Sequence, residues 1–405
     1  MRLVRHAAIM SLAILTMLSA CATVEEGPEL GARGGPDTPP RTGDEEGSEA
    51  PDAIDRRVER VLSVMSLEQI VGQRFVTFLD GRTVSTEERR LITEGVVGGF
   101  IIYPQNVESR GQVKRLAATL QRHAERSTPG VGLFLAADQE GGRVAALRLS
   151  DMPQFPSARS WARHEDEAYV EAASYVVNRE LASVGLNMNF APVLDVYEHA
   201  DDSIIGDRAF ADEPELVGRL GTAYLEGAER AGIIAVPKHF PGHGSTSIDS
   251  HGRLPVVSLS QSELYERHLH PFRTAVSSGA EAVMTAHLLL PALDPEHPAT
   301  LSRPIIDGIL REELGFGGVV ISDGVAMGAI SENYSITEAI ELSIRAGVDV
   351  ILVHARYDVS RLVAGTVELL EEGAISYDDL VAGTRRVLTL KARHGLLPEV
   401  AVAGR

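Results

Sequence analysis

Short apolar runs alternate with longer amphipathic stretches along most of this chain. Runs that are apolar at nearly every position are typical of strands in a parallel sheet, because helices cover both of its faces. Eight such runs, each followed by a helical pattern, predict an α/β fold. They favour a (β/α)8 TIM-type barrel, with a doubly wound sheet as the alternative. The runs lie at residues 75–79, 98–103, 132–137, 186–191, 233–237, 282–286, 318–322 and 348–353.

The stretches between the runs have the spacing of amphipathic helices, and several end at a glycine just before the next run. Glycine is favoured there because the residue after a helix often takes a left-handed backbone conformation. Ser66 is placed to cap an early helix, and residues 376–394 have room for a closing helix. The predicted helices include 110–126, 167–184, 215–231, 261–278, 303–314 and 336–346, and the terminating glycines are Gly185, Gly232, Gly279, Gly315 and Gly347.

The first 55 residues differ from the rest. Residues 1–21 begin with a basic segment, continue with a short apolar stretch and end in LSAC, which is the pattern of an export signal. LSAC resembles the lipobox of bacterial lipoproteins. This implies lipidation of Cys21 and a membrane-anchored protein that faces the periplasm or the exterior, although an ordinary secretory signal remains the alternative. Residues 22–55, rich in acidic residues, glycine and proline, predict a disordered linker, with an acidic interaction tail as the alternative.

The overall composition excludes several kinds of function. The 405 residues include 38 Lys and Arg against 57 Asp and Glu, for a net charge of −19. This balance argues against a nucleic-acid partner, because phosphate contacts need clustered cations. The single cysteine, Cys21, excludes an intramolecular disulfide framework and a cysteine nucleophile in the folded part. No glycine-rich phosphate-binding motif follows a predicted strand, so nothing favours a nucleotide site.

Polar side chains follow the predicted strands repeatedly. In a (β/α)8 barrel the carboxyl ends of the strands and the loops after them hold the functional groups, so this pattern predicts a polar pocket. The residues at these positions are Asp138, Gln139, Glu140, Arg143, Asp195, Asp207, Arg208, Lys238, His239, His243, Asp249, His251, His287, Asp323 and His354.

Two elements in this set suggest acid/base and nucleophilic chemistry. Asp323 ends a strongly apolar run, where an unpaired charge is expensive, so we expect partners around it. A carboxylate can attack the anomeric carbon of a sugar in retaining hydrolysis, which makes Asp323 a candidate nucleophile. The alternative is that Asp323 only caps the next helix at its N-terminus. Asp249 lies two residues before His251 and can orient its ring for proton transfer, unless the two form an ordinary surface pair.

Histidines near strand ends also raise the possibility of a metal site. His239 and His243 lie on either side of a Pro-Gly turn instead of sharing one face of a helix, and no His-x-His motif occurs on the first strand. Metal sites need ligands that converge at suitable spacing. We therefore predict no metal.

Four separated segments together resemble the β-N-acetylglucosaminidases of glycoside hydrolase family 3. They are DQEGGRV at 138–144, KHFPGHG at 238–244, DSH at 249–251 and SDGVAM at 322–327. They occur in the order found in that family, and the resemblance covers roughly residues 58–396. It implies a single metal-free and cofactor-free catalytic barrel, here residues 56–398. Such an enzyme releases terminal N-acetylglucosamine with retention, often from peptidoglycan fragments.

The resemblance also implies roles for individual residues. Asp323 matches the nucleophile, His251 the general acid/base and Asp249 its partner in a dyad. The positions that match sugar contacts, or the glycine-rich loop beside them, are Asp138, Arg143, Arg208, Lys238 and His239. Three positions depart from the family pattern, namely Gly324 after the nucleophile, Ser245 and Ala146. A phosphorylase, another family 3 β-glycosidase and a non-catalytic glycan-binding lipoprotein stay open as alternatives.

Overall fold

Eight short parallel strands, β1 to β8, form the centre of the computed structural model, which describes residues 51–198, 204–246, 248–354 and 357–399. Each lies inside one of the eight apolar runs, so their number and order confirm the prediction. They are β1 (Phe75–Phe78), β2 (Gly99–Ile101), β3 (Phe134–Ala137), β4 (Met188–Asn189), β5 (Ile234–Ala235), β6 (Ala282–Met284), β7 (Val319–Ile321) and β8 (Ile351–Val353). A small antiparallel hairpin, Gln139–Gly141 with Val144–Ala145, follows β3.

The strands close into a (β/α)8 barrel, as expected. Six of them pair side by side in the order β8, β1, β2, β3, β4, β5, and β6 pairs with β7. Parallel bridges complete the ring at both junctions. Phe240 bridges to Thr285 between β5 and β6, and Ile321 bridges to Val350 between β7 and β8. The N–H of Phe240 donates to the Met284 carbonyl at 2.8 Å, which seals the first junction.

Helices surround the ring at nearly all predicted places. The α-helices are Pro51–Leu62, Leu67–Gly72, Thr86–Glu94, Arg110–Glu125, Ala158–Ala162, Glu167–Ser183, Pro214–Arg230, Gln261–Glu263, His270–Ser277, Gly328–Ser331, Ile336–Ala346, Val359–Glu371 and Tyr377–Arg393, with π-helical Leu264–His268 and Pro304–Glu313 and 3₁₀ turns at Pro104–Asn106, Gly206–Arg208 and Ala299–Leu301. The segment predicted as a helix at 303–314 is therefore π-helical in its described span. None of the helices in the described ranges has both the length and the hydrophobicity that crossing a membrane requires.

Local signals begin and end these helices, as the sequence indicated. Ser66 caps the helix Leu67–Gly72, where its side chain accepts the N–H of Gln69 and the Gln69 side chain accepts the N–H of Ser66. The five glycines predicted to follow helices all have positive φ, between 73° and 101°. A side chain with a β-carbon rarely adopts this conformation, so these positions favour glycine.

The predicted linker boundary at residue 55 is wrong, because a helix already begins at Pro51. Ile54 packs against a cluster that includes Val58, Val61 and Leu388, so burial stabilises the first turn despite the acidic composition around it. Residues 1–21 and 22–50, which include Cys21, lie outside the described residues.

Two apolar layers hold the barrel together. The first fills the inside of the ring with alternate side chains from the strands, including Val76, Phe134 and Ile321. The second lies between the strands and the helices around them. Side chains from the closing helix Tyr377–Arg393, among them Val387 and Leu390, join the inner layer at the amino ends of the strands, so they form the floor of the barrel.

The floor contains a buried lysine. Lys391 Nζ donates to Gln73 Oε1 at 2.7 Å and to the Gly98 carbonyl at 2.8 Å, and it lies 4.9 Å from the centre of the Phe134 ring. No carboxylate of the described chain pairs with it, and burial lowers the pKa of Lys391 to about 7. The ammonium is therefore held by dipoles and a ring face alone.

This lysine makes stability depend on pH. Between pH 7 and the ordinary lysine range, the unfolded chain binds the proton that folded Lys391 has lost, so the free energy of unfolding rises with pH. We expect Lys391→Met to remove that part of the rise, measured by urea denaturation at several values between pH 7 and 9. Lys114→Met, at an exposed position, is the control. Equal pH slopes for the wild type and Lys391→Met would contradict this account.

Candidate active site

A cavity of about 600 Å³ opens at the carboxyl ends of the strands. That is within the usual size of small-molecule sites, roughly 300–1,000 Å³. Its deeper wall is apolar and includes Phe190, Met284 and Leu352 from the inside of the barrel. Of the eight residues given catalytic or sugar-contact roles, six line it, namely Asp138, Arg208, Lys238, His239, His251 and Asp323. Glu140, His243 and His354 from the wider predicted polar set line it as well.

Lys238 lies between two carboxylates after β5. Its Nζ is 2.6 Å from Asp138 Oδ1 and 2.7 Å from Glu140 Oε1, and the lysine side chain is 3% exposed. Burial works against its charge, but Asp138 and Glu140 outweigh burial and raise the pKa of Lys238. The lysine therefore remains an ammonium group and fixes Asp138 at the cavity wall.

Glu140 connects this lysine to a second cation. Its carboxylate accepts hydrogen bonds from Arg208 Nε at 2.7 Å and from Arg208 Nη2 at 2.8 Å, so the ion pair is bidentate. Burial acts to raise the pKa of Glu140, but Arg208 and Lys238 hold it far below the ordinary glutamate range. The sequence predicts Glu140 as part of the polar pocket, but it does not indicate that this carboxylate pairs with two cations.

Arg143 does not line the cavity. Its guanidinium donates to the carbonyls of Ile204 and Ile205 and lies 3.3 Å from Asp207 Oδ1. Arg143 thus fastens the segment that carries Arg208 into the site. The expectation that Arg143 itself faces the pocket is not met in this structure, because nearby carbonyls and a carboxylate occupy its donors.

His239 is oriented by a buried carboxylate that follows β4. Asp195 Oδ2 lies 2.7 Å from His239 Nδ1, and Asp195 Oδ1 accepts the N–H of His243 at 2.6 Å. Burial acts to raise the pKa of Asp195, but the charge and hydrogen bond of His239 outweigh it and lower that pKa. With Nδ1 donating to Asp195, His239 Nε2 is left to face Arg208 Nη2, at 3.4 Å.

His243 is buried beside His239, with the two ring centres 5.8 Å apart. Burial and the neighbouring His239 lower the pKa of His243 to about 4. The ring is therefore neutral at physiological pH and does not add a cation to the cavity.

Asp323 follows β7 and is partly open to the cavity. Its Oδ1 accepts the N–H of Gly324 at 2.7 Å, while His287 Nε2 donates to the Gly324 carbonyl at 3.0 Å. Burial acts to raise the pKa of Asp323, but His287, His239, the Gly324 N–H and Lys238 together hold it below that of a free aspartate. The carboxylate is thus ionised at neutral pH and fixed by the turn that follows it.

The Asp249–His251 pair lies at the rim of the same cavity. His251 Nδ1 is 2.8 Å from Asp249 Oδ1, and the side chains are 74% and 55% exposed, respectively. Since Nδ1 is occupied by Asp249, Nε2 is the ring nitrogen left to exchange a proton. Asp249 does not itself line the cavity, which suits a residue that orients its neighbour.

The three departures from the family pattern lie close to these groups. A β-carbon on Gly324 would lie 3.6 Å from Met327 Sδ, so a small side chain fits there. Ala146 is buried, and its N–H donates to the Asp138 carbonyl at 2.9 Å. The Ser245 hydroxyl is buried, with no hydrogen-bond partner among the described residues. No group of three or more His, Cys, Asp or Glu side chains placed to hold a metal occurs within the described ranges.

The barrel and its ionised carboxylates define a (β/α)8 protein with a polar pocket at the carboxyl ends of the strands. The chain belongs to glycosyl hydrolase family 3, because residues 53–390 match the model described as the glycosyl hydrolase family 3 N terminal domain. This match confirms the family predicted from the four sequence segments.

Individual relatives agree with this assignment. A solved family 3 β-N-acetylglucosaminidase from Paenibacillus sp. str. FPU-7 is 39% identical with a TM-score of 0.80, over 84% of this chain and 65% of that one. The β-hexosaminidase of Nitrosomonas eutropha is 36% identical, over 67% of this chain and 78% of that protein. β-Hexosaminidase A of Pseudoalteromonas piscicida is 32% identical, over 77% of this chain and only 56% of its own length.

The buried position of Glu140 gives a testable prediction. Removing its charge leaves Arg208 and Lys238 under-compensated, and an uncompensated buried charge costs about 3–5 kcal/mol. We expect Glu140→Gln to lower the free energy of unfolding by about 3 kcal/mol in urea denaturation. The control is Glu87→Gln, because Glu87 pairs with Arg90 on the surface and such pairs contribute about 1 kcal/mol or less. Equal effects of the two substitutions would contradict the proposed role of Glu140.

Proposed function

We propose that this protein is a retaining exo-β-N-acetylglucosaminidase that releases terminal N-acetylglucosamine from peptidoglycan-derived muropeptides. One observation carries the proposal: the ionised Asp323 and His251, whose ring is bound by Asp249, line one cavity at the carboxyl ends of the strands. The Paenibacillus relative is a β-N-acetylglucosaminidase and the Nitrosomonas relative a β-hexosaminidase, which supports a β-linked hexosamine as the sugar that is released.

The proposed reaction has two displacements. In the first, His251 Nε2 gives its proton to the glycosidic oxygen, while an Asp323 oxygen attacks the anomeric carbon and the aglycone leaves. In the second, neutral His251 takes a proton from water, whose oxygen displaces Asp323 from the sugar. Asp249 accepts the Nδ1 hydrogen throughout and stabilises the imidazolium.

The remaining groups hold the sugar. Asp138 and Arg208 present charged hydrogen-bonding atoms to the cavity beside His239, and charge-assisted bonds of this kind select hydroxyl positions. Lys238 and Glu140 keep these groups in place without rearrangement when substrate enters. The apolar wall formed by Phe190 and Met284 suits the carbon face of a sugar ring.

We expect Asp323→Asn to lower kcat on an aryl N-acetylglucosaminide on the order of 10⁴-fold, because an amide is a far weaker nucleophile than a carboxylate. The fold and the affinity for N-acetylglucosamine should persist. Asp151→Asn is the control, because the Asp151 carboxylate pairs with Arg110 on the surface and does not line the cavity. Trapping with a fluorinated sugar, followed by mass spectrometry, should label Asp323. Near-normal turnover, or an adduct on another residue, would contradict the proposal.

Product analysis tests the substrate. Purified muropeptides should release free N-acetylglucosamine, and added phosphate should not change the product. Formation of N-acetylglucosamine 1-phosphate would assign the phosphorylase reaction instead. Absence of any turnover on muropeptides and on aryl substrates would favour a glycan-binding protein.

We also propose that Cys21 carries a lipid that anchors the protein to a membrane of the cell envelope. The argument rests on the LSAC segment after an apolar stretch and on the acidic segment that follows. Cys21→Ala should move the protein from the membrane fraction to the soluble fraction after cell lysis, which immunoblotting measures. Unchanged membrane association of Cys21→Ala would contradict the anchor.

A further inference from the structure

Two loops of the cavity, one with the Asp249–His251 pair and one that follows Asp323, are joined directly through their backbones. The N–H of Gly328 donates to the His251 carbonyl at 2.9 Å, and the N–H of Ala329 donates to the Ser250 carbonyl at 3.0 Å. Both donors lie at the start of the short helix Gly328–Ser331. We refer to these two hydrogen bonds as the latch.

The latch depends on the absence of a side chain at residue 328. A β-carbon there would lie 2.4 Å from the carbonyl oxygen of Gly252 and 2.8 Å from that of His251. Both contacts are with backbone, which cannot turn aside as a flexible side chain can. The space between the loops therefore accepts only glycine without displacing residues 251–252.

The loop that donates to the latch is itself fixed to the barrel. The N–H of Val325 donates to the Leu352 carbonyl at 3.1 Å, and His287 donates to the Gly324 carbonyl at 3.0 Å. By contrast, the N–H groups of Gly252 and Arg253 bond locally, to the Asp249 carbonyl. The His251 loop is next anchored at Pro255 and Val257, which bond to Leu289, so at residues 250–251 the latch is the contact that joins it to the Asp323 loop.

We infer that Gly328 is a positioning residue, which sets the distance between the His251 imidazole and the Asp323 carboxylate through the latch. It acts on catalysis only through His251, so this inference rests on the acid/base role proposed above. A displaced His251 would fail to reach the leaving oxygen, whereas Asp323 would stay where the barrel holds it.

Gly328→Ala tests the inference against a matched control. Gly252→Ala adds the same methyl group to the other side of the contact, where the nearest atom would be 3.7 Å away. Both variants and His251→Ala are assayed as kcat/KM on a disaccharide substrate, which needs acid assistance, and on a dinitrophenyl N-acetylglucosaminide, which does not. General acid catalysis contributes roughly 10²–10⁴-fold, so a partly misplaced acid should cost on the order of 10–100-fold on the disaccharide.

The expected result is a loss for Gly328→Ala on the disaccharide alone, with kcat affected more than KM and with Gly252→Ala close to wild type. The rate at which a fluorinated dinitrophenyl sugar labels Asp323 should be unchanged, which a general folding defect would not allow. Equal losses on both substrates, or equal behaviour of the two alanine variants, would overturn the role of Gly328. If His251→Ala itself shows no dependence on the leaving group, the proposed acid/base role fails, and the latch inference fails with it.

Discussion

The cavity depends on one buried carboxylate held between two cations. Glu140 binds Lys238 and Arg208 at once, and so joins the segments after β3, β4 and β5. Each of these charges would be costly alone at such burial, and each is compensated by the others. The surface that they leave towards the cavity is therefore already ordered before any ligand arrives.

The two sides of the cavity differ in how firmly they are held. On one side, ion pairs fix Asp138 and Arg208, and a short hydrogen bond to the buried Asp195 fixes His239. On the other, the exposed Asp249–His251 pair depends on its own hydrogen bond and on two backbone contacts to a neighbouring loop. The pocket is thus rigid where its charges are buried, and open to solvent at the Asp249–His251 pair.

The sequence predicts the barrel well because continuous apolar runs and terminating glycines are local signals. It placed the linker boundary too late, since the helix that begins at Pro51 is stabilised by contacts with Leu388, more than 300 residues away. The role of Glu140 is likewise invisible locally, because Arg208 and Lys238 meet it only after folding. Arg143 was expected in the pocket, but the carbonyls that occupy it belong to a loop without a recognisable pattern. Nothing in the sequence marks Gly328, because its importance is the lack of space beside it.

The first described helix lies at the end of the barrel away from the cavity. Pro51–Leu62 packs against the closing helix Tyr377–Arg393, and Arg57 Nη2 donates to the Ala392 carbonyl at 2.9 Å. Both helices lie at the amino ends of the strands, which is the end of the barrel opposite the cavity. No residue of Pro51–Leu62 lines the cavity, so the first described helix stabilises the barrel without narrowing the way to the site.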